Sequence, residues 1–148
     1  MDTILYSDEY FMREALKEAR RAFEADEVPI GAVVVSRNTV IGRGHNLTER
    51  LNDITAHAEM QAITAACNYI GAKYLDECTL YVTIEPCAMC AGAASWAQLG
   101  RIVYGAPDEK KGYTRFSEAI PHPKTKVEHG ILAADCAALM KDFFQKKR

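Results

Sequence analysis

Residues 30–36, Ile-Gly-Ala-Val-Val-Val-Ser, constrain the fold more than any other stretch of this chain. The run is β-branched and continuous rather than alternating, which is the pattern of a strand covered on both faces. Such a strand needs helices on either side, and the sequence supplies them. In residues 8–25, Phe11, Ala15, Ala19 and Phe23 recur every four positions and Ser7 stands ready to cap. Residues 57–70 are rich in alanine, with Met60, Ile63 and Ala66 as the apolar set. Pro86 opens a helix that runs to about residue 97, in the first-turn position that proline tolerates. Residues 133–146 are amphipathic, with Cys136, Leu139, Met140 and Phe143 inward. Further strands are expected at residues 40–45, after an Arg37-Asn38-Thr39 turn, and at 78–84, 101–105 and 126–129. A long connection, 106–125, precedes the last of these. Strands alternating with helices imply a three-layer α/β/α domain on a mixed five-stranded sheet. The first two strands pair antiparallel, and those joined through helices run parallel.

One such domain accounts for all 148 residues, because no repeat, linker or low-complexity segment interrupts them. Hydrophobic residues make up 49% and charged residues 26%, the balance of an ordinary globular protein. No apolar run approaches the ~18 residues needed to span a membrane. Residues 1–9 lack a basic segment followed by an apolar one, so no signal peptide is expected, and the cytoplasm is the expected compartment. The formal net charge is −2, so a polyanionic partner would have to meet a local cationic patch.

Two segments carry chemistry, His57-Ala58-Glu59 and Pro86-Cys87-Ala88-Met89-Cys90, and each opens a helix. In a reducing compartment, two cysteines at this spacing point to metal or redox use rather than a disulfide framework. Three residues apart, Cys87 and Cys90 share a helix face, and a helix N-terminus favours thiolates. Two thiolates and one imidazole make three ligands for one zinc ion per chain. Zinc prefers four, and the remaining position belongs to a water whose pKa the ion lowers to ~7. Glu59 is offset from His57 so as to reach that water from the side. It would act as general base, then as general acid toward the ring nitrogen and the departing amine. His-x-Glu followed by Pro-Cys-x-x-Cys is a signature of zinc-dependent deaminases. A structural zinc site would need a fourth ligand at close spacing, and Cys67, Cys78 and Cys136 read as core or incidental thiols. His45, His122 and His129 read as surface or loop residues, with His45 of interest through its neighbour Asn46.

The chain resembles the bacterial tRNA-specific adenosine deaminases of the cytidine deaminase-like superfamily, from about Tyr10 to Phe144. The resemblance lies in Glu27-Val28-Pro29-Ile30-Gly31-Ala32-Val33, Gly44-His45-Asn46, Thr55-Ala56-His57-Ala58-Glu59 and the stretch from Leu80 through Pro86 and Cys90 to Ala93. Gly100-Arg101-Ile102-Val103-Tyr104-Gly105-Ala106 and the terminal segment from Cys136 to Phe144 extend it. It implies a hydrolase that converts the wobble adenosine of a tRNA anticodon loop to inosine. It further implies that Asn46 hydrogen-bonds the flipped purine, that Val28 and Ala58 line its pocket, and that Asp108 and Lys110 lie near the nucleic acid. A homodimer is implied as well, with the helix carrying Ala93, Ala94, Ser95 and Trp96 as an interface element. For Trp96 the residues alone equally allow core packing.

One segment departs from the family. Many members follow Asp108-x-Lys110 with a small-residue loop, whereas this chain reads Lys111-Gly112-Tyr113-Thr114-Arg115-Phe116. A basic and aromatic segment suits phosphates and base stacking, and it equally suits a solvated turn whose aromatics pack on the domain. Lys110, Lys111, Arg115 and the tail Lys146-Lys147-Arg148 are the candidate phosphate contacts. Two other readings stand beside the first. A deaminase of a free nucleobase or nucleoside, of guanine or cytosine type, shares the metal motif and suits the net charge. A non-catalytic zinc-stabilised RNA-binding module would have no use for Glu59.

Overall fold

Double-sided burial of the strand at residues 30–36 organises the domain. The structure, a computed structural model, describes residues 6–147. The start of the chain at residues 1–5, on which the leader reading partly rests, and Arg148 lie outside the described residues. The elements run α1 (Asp8–Glu24), β1 (Gly31–Ser36), β2 (Thr39–His45), α2 (Ala58–Ile70), β3 (Thr79–Ile84), α3 (Ala88–Trp96), β4 (Arg101–Ala106), β5 (Lys126–His129) and α4 (Ala133–Lys146). Along β1, Ala32 and Val34 enter one core with Leu80, Val82, Ile102 and Tyr104. Val33 and Val35 enter the other with Tyr81, Ile84 and Val103. Helices α2 and α3 cover the first core through Ala58, Ala62, Ala66, Ala91 and Ala94. Helices α1 and α4 cover the second through Phe11, Ala15, Leu16 and Cys136. Each large apolar side chain buried this way contributes roughly 1.5–3 kcal/mol, which is why the strand tolerates no polar alternation.

The sheet order is β2-β1-β3-β4-β5. β1 is antiparallel to both of its neighbours, while β3–β4 and β4–β5 are parallel. The mixed five-stranded sheet is therefore as the sequence predicts. β2 and β3 run the same way, as strands joined through a helix should, but β1 lies between them. Arg37 and Asn38 form the two-residue turn between β1 and β2, both left-handed with φ of 50° and 62°. That is the primed hairpin geometry that matches strand twist.

Two glycines in β2 let α2 lie directly on the sheet. A Cβ on Gly42 would land on the carbonyl oxygen of Ala62, and one on Gly44 on that of Ala58. The close approach fixes where α2 begins. On the opposite layer, Asp8 at the first turn of α1 takes two hydrogen bonds from the Arg101 guanidinium at 2.7 and 2.8 Å and one from the Tyr81 hydroxyl at 2.8 Å. This ties the start of α1 to β3 and β4.

Candidate active site

Four strands bring their site-bearing ends to one edge of the sheet. β2 ends at His45 and runs into Asn46, β3 ends at Ile84 and runs into Glu85-Pro86-Cys87, and β4 ends at Ala106, just before Asp108. β1 is antiparallel to β2 and β3, so its start, preceded by Val28 and Ile30, lies at the same edge. Crevices beyond strand ends of this kind are where open α/β sheets bind ligands.

α2 and α3 both begin there. His57 caps α2 with φ −75° and ψ 157°, and Cys87 caps α3 with φ −73° and ψ 172°. Neither side chain makes a cap hydrogen bond, so both are free to face each other. This corrects one expectation. Pro86 does not occupy the first turn of α3 but precedes its cap. Cys87 is held extended by a bridge to Gly112, and the Pro86 carbonyl accepts a hydrogen bond from the Tyr113 N–H at 2.9 Å. Cys90 is the third residue of α3, the position that faces a cap residue.

The Nδ1 atom of His57 lies 3.6 Å from the sulfur of Cys87 and 3.6 Å from that of Cys90. Two ligands at ~2.0 and ~2.3 Å from a tetrahedral zinc would be about 3.5 Å apart, so the trio fits that ion. Among the described residues it is the only group of three or more His, Cys, Asp or Glu side chains close enough to share a metal. The Cys87 thiol is pulled down to about 4, first by the hydrogen bond from Cys90 and then by that from His57. The same contact with Cys87 pushes the Cys90 thiol up and raises His57. A thiolate beside a second sulfur and an imidazole is a soft donor set.

Glu59, the second residue of α2, is only 3% exposed. Burial pushes its carboxyl up to about 7, offset in part by its own backbone N–H and the Cys90 thiol. A carboxyl poised near neutrality can both take and give a proton.

A cavity of about 950 Å³ opens over this group. Val28, Asn46, His57, Ala58, Glu59, Cys87, Asp108 and Lys110 all line it, while Cys90 is fully buried behind. Asn46 is buried, and its Oδ1 accepts from the Thr48 N–H at 3.1 Å, leaving the amide NH₂ for a ligand. Asp108 is turned into its own loop, where Oδ1 accepts from the Lys110 and Lys111 N–H groups at 3.1 and 3.0 Å. The end of α4 adds Met140, Phe144 and Lys147 to the wall. Lys147 also pairs with Asp26 at 2.6 Å, and the Lys146 ammonium lies over the Phe23 ring. The basic and aromatic loop divides in two. Tyr113 packs into the core, Phe116 is exposed, and Lys111 reaches the cavity while Arg115 hydrogen-bonds the Glu109 carbonyl. Of the other histidines, His45 pairs with Glu18 at 3.3 Å, His122 accepts from the Lys124 N–H and His129 stacks on Tyr104.

Two buried carboxylates beside the site, Glu27 and Glu85, are not among the candidate residues of the sequence. Glu27, 1% exposed, accepts the N–H groups of Glu49 and Arg50 at 3.0 and 2.7 Å and so holds the loop after Asn46. Glu85, 5% exposed, holds the loop after β4. The available signal was an acidic residue immediately before each apolar or ligand-bearing site segment.

A family model of MafB19-like deaminases matches residues 6–148. The tRNA-specific adenosine deaminase of Streptococcus pyogenes serotype M18 is 44% identical over 144 residues, covering 94% of this chain and 91% of that protein. The chain belongs to this deaminase family. The tRNA-specific adenosine deaminase of Aquifex aeolicus shares 41% identity over 95% of both chains. A solved tRNA:A34 deaminase, studied for A-to-I editing at the wobble position of transfer RNA, superposes with a TM-score of 0.81 at 44% identity, over 88% of this chain and 98% of that one. The guanine deaminase of Nitrosomonas europaea superposes with a TM-score of 0.80 at 26% identity, over 93% of this chain and 84% of that one. The family shares hydrolytic deamination as its chemistry.

Proposed function

We propose that the chain deaminates adenosine to inosine at the wobble position of a tRNA anticodon loop, releasing ammonia. The observation that carries this reading is the convergence of His57, Cys87, Cys90 and buried Glu59 in one cavity, in a chain 44% identical to a tRNA-specific adenosine deaminase almost end to end. His57, Cys87 and Cys90 would hold one zinc ion. The chemistry a bound zinc supplies is activation of the attacking water. Asn46 donates to the extruded purine, and Val28 and Ala58 pack on it. Glu59 takes the proton of the water and delivers it to N1 as oxygen adds at C6. The proton left on the added hydroxyl then passes through Glu59 to the exocyclic nitrogen, the C6–N bond breaks, the C6 carbonyl forms, and ammonia departs. The target base is unpaired in an anticodon loop, so extruding it costs little. Lys110 and Lys111 at the mouth meet the RNA backbone, which supplies the local cationic patch that a chain of net charge −2 requires.

The working unit is a homodimer formed through the face around Trp96, which is 85% exposed and flanks a groove with Ala93, Ser95, Ile63 and Tyr74. That exposure argues against core packing of Trp96. Among the described residues no helix is long and apolar enough to cross a membrane, and the proposed compartment is the cytoplasm. The likeness to a guanine deaminase keeps a free-base substrate as the second reading. The test is to map inosine in an anticodon stem-loop bearing one adenosine, placed at the wobble position or one nucleotide away. Conversion at the wobble position alone supports the proposal. Conversion of neither RNA, with turnover of free guanine or adenine, overturns it.

A further inference from the structure

Glu85 stands between β3 and the metal-ligand segment, but its carboxylate faces the loop that follows β4. Oε1 accepts from the Asp108 N–H at 3.2 Å. Oε2 accepts from the Thr114 N–H at 3.0 Å and from the Thr114 hydroxyl at 2.7 Å. Gly112 lies so close that a Cβ there would collide with the Glu85 carboxylate. Next along the chain, Pro86 accepts from the Tyr113 N–H, and Cys87 bridges Gly112. Both ends of the loop are thus fastened to Glu85, Pro86 and Cys87. What lies between the fastenings is Glu109, Lys110 and Lys111. Asp108, itself fixed by Glu85, turns its carboxylate to the N–H groups of both lysines. The two lysines line the cavity, as does Glu85, which is only 5% exposed.

We infer that Glu85 is a positioning residue for the polynucleotide substrate, holding Lys110 and Lys111 over the mouth at a height set by the metal-ligand segment. The inference rests on the RNA reading given above. Three donors converge on one carboxylate and, with the Pro86–Tyr113 hydrogen bond, the Cys87–Gly112 bridge and the buried Tyr113 ring, fix the loop. A glutamine in its place keeps the shape but turns an N–H group toward one of these donors, so one hydrogen bond becomes a repulsion. The ligands and Glu59 stay where they are, because the substitution leaves α2 and α3 untouched.

The test is a double-mutant cycle on the zinc-loaded enzyme with an anticodon stem-loop. Glu85→Gln is expected to raise KM for the stem-loop about fivefold, with kcat within about twofold and zinc content unchanged. In a Lys110→Ala/Lys111→Ala background the same substitution should change KM less than about twofold, since there is no longer anything to position. Thr114→Val removes the hydroxyl donor alone and should give the same pattern at smaller amplitude, which covers the case in which Glu85→Gln fails to fold. Equal losses in both backgrounds, a loss of zinc, or an unchanged KM would overturn the inference. If the wild-type enzyme does not turn over the stem-loop at all, it is the RNA reading that fails, and this shows before any variant is made.

Discussion

At the residue scale, Glu59 carries the largest consequence. It is the one carboxyl in the cavity that burial lifts to about 7, and it contacts the donor set without belonging to it. Glu59→Gln should retain one zinc per chain and lose about 10²- to 10⁴-fold in kcat, the span attributed to a positioned proton carrier. Metal analysis beside single-turnover kinetics checks both halves, and loss of zinc would make Glu59 a ligand instead. His57, Glu59, Cys87 and Cys90 were legible in the sequence because ligand chemistry is a property of residue type and short spacing. Glu27 and Glu85 were not, since their partners are backbone N–H groups of distant loops, and every residue except proline has one. The place of Pro86 was misread for a related reason. Whether Cys87 or its neighbour caps α3 depends on a bridge to Gly112, far along the chain.

At the element scale, the two faces of β1 explain the layers, and the Asp8–Arg101–Tyr81 contact fixes α1 on them. The Arg101 hydrogen bonds hold the Asp8 carboxyl below its ordinary value of 3.8. A carboxyl whose folded value is depressed contributes stability that is complete above the unfolded value and is lost as pH falls through the folded one. Asp8→Asn should therefore cost about 1–2 kcal/mol at pH 7, allowing for its partial exposure, and the cost should shrink toward zero below the ordinary carboxylate range. Urea unfolding at pH 7 and near pH 3 separates this from packing, which would cost the same at both. The helices and strands themselves were readable to within one or two residues, from the four-residue recurrence in α1 and the unbroken apolar run of β1. The antiparallel insertion of β1 between β2 and β3 was not, because periodicity shows which faces are buried and not which strand is the neighbour.

At the scale of the whole molecule, one face remains apolar. Trp96 and Tyr74 line one groove on the layer of α2 and α3, and Tyr69 on α2 is exposed as well. The proposed homodimer predicts a dimer in light scattering that Trp96→Lys converts to a monomer with an unchanged far-UV spectrum, and a wild-type monomer would overturn it. A dimer that survives the substitution would place the interface elsewhere. The sequence left Trp96 open between core and surface, since an aromatic on a short helix fits either until the sheet shows which side the helix presents.

The protein is proposed to be a metal-dependent deaminase of the wobble adenosine, and ammonia release is the decisive assay. The purified enzyme would be assayed on an anticodon stem-loop carrying that adenosine, with adenine, guanine, cytosine and their nucleosides in parallel. Each assay would be repeated after removal of metal with a chelator and again after return of zinc. Ammonia is expected from the stem-loop alone, equimolar with inosine, lost without metal and restored by zinc. Ammonia from a free base but not from the stem-loop, or turnover that survives removal of the metal, would contradict it.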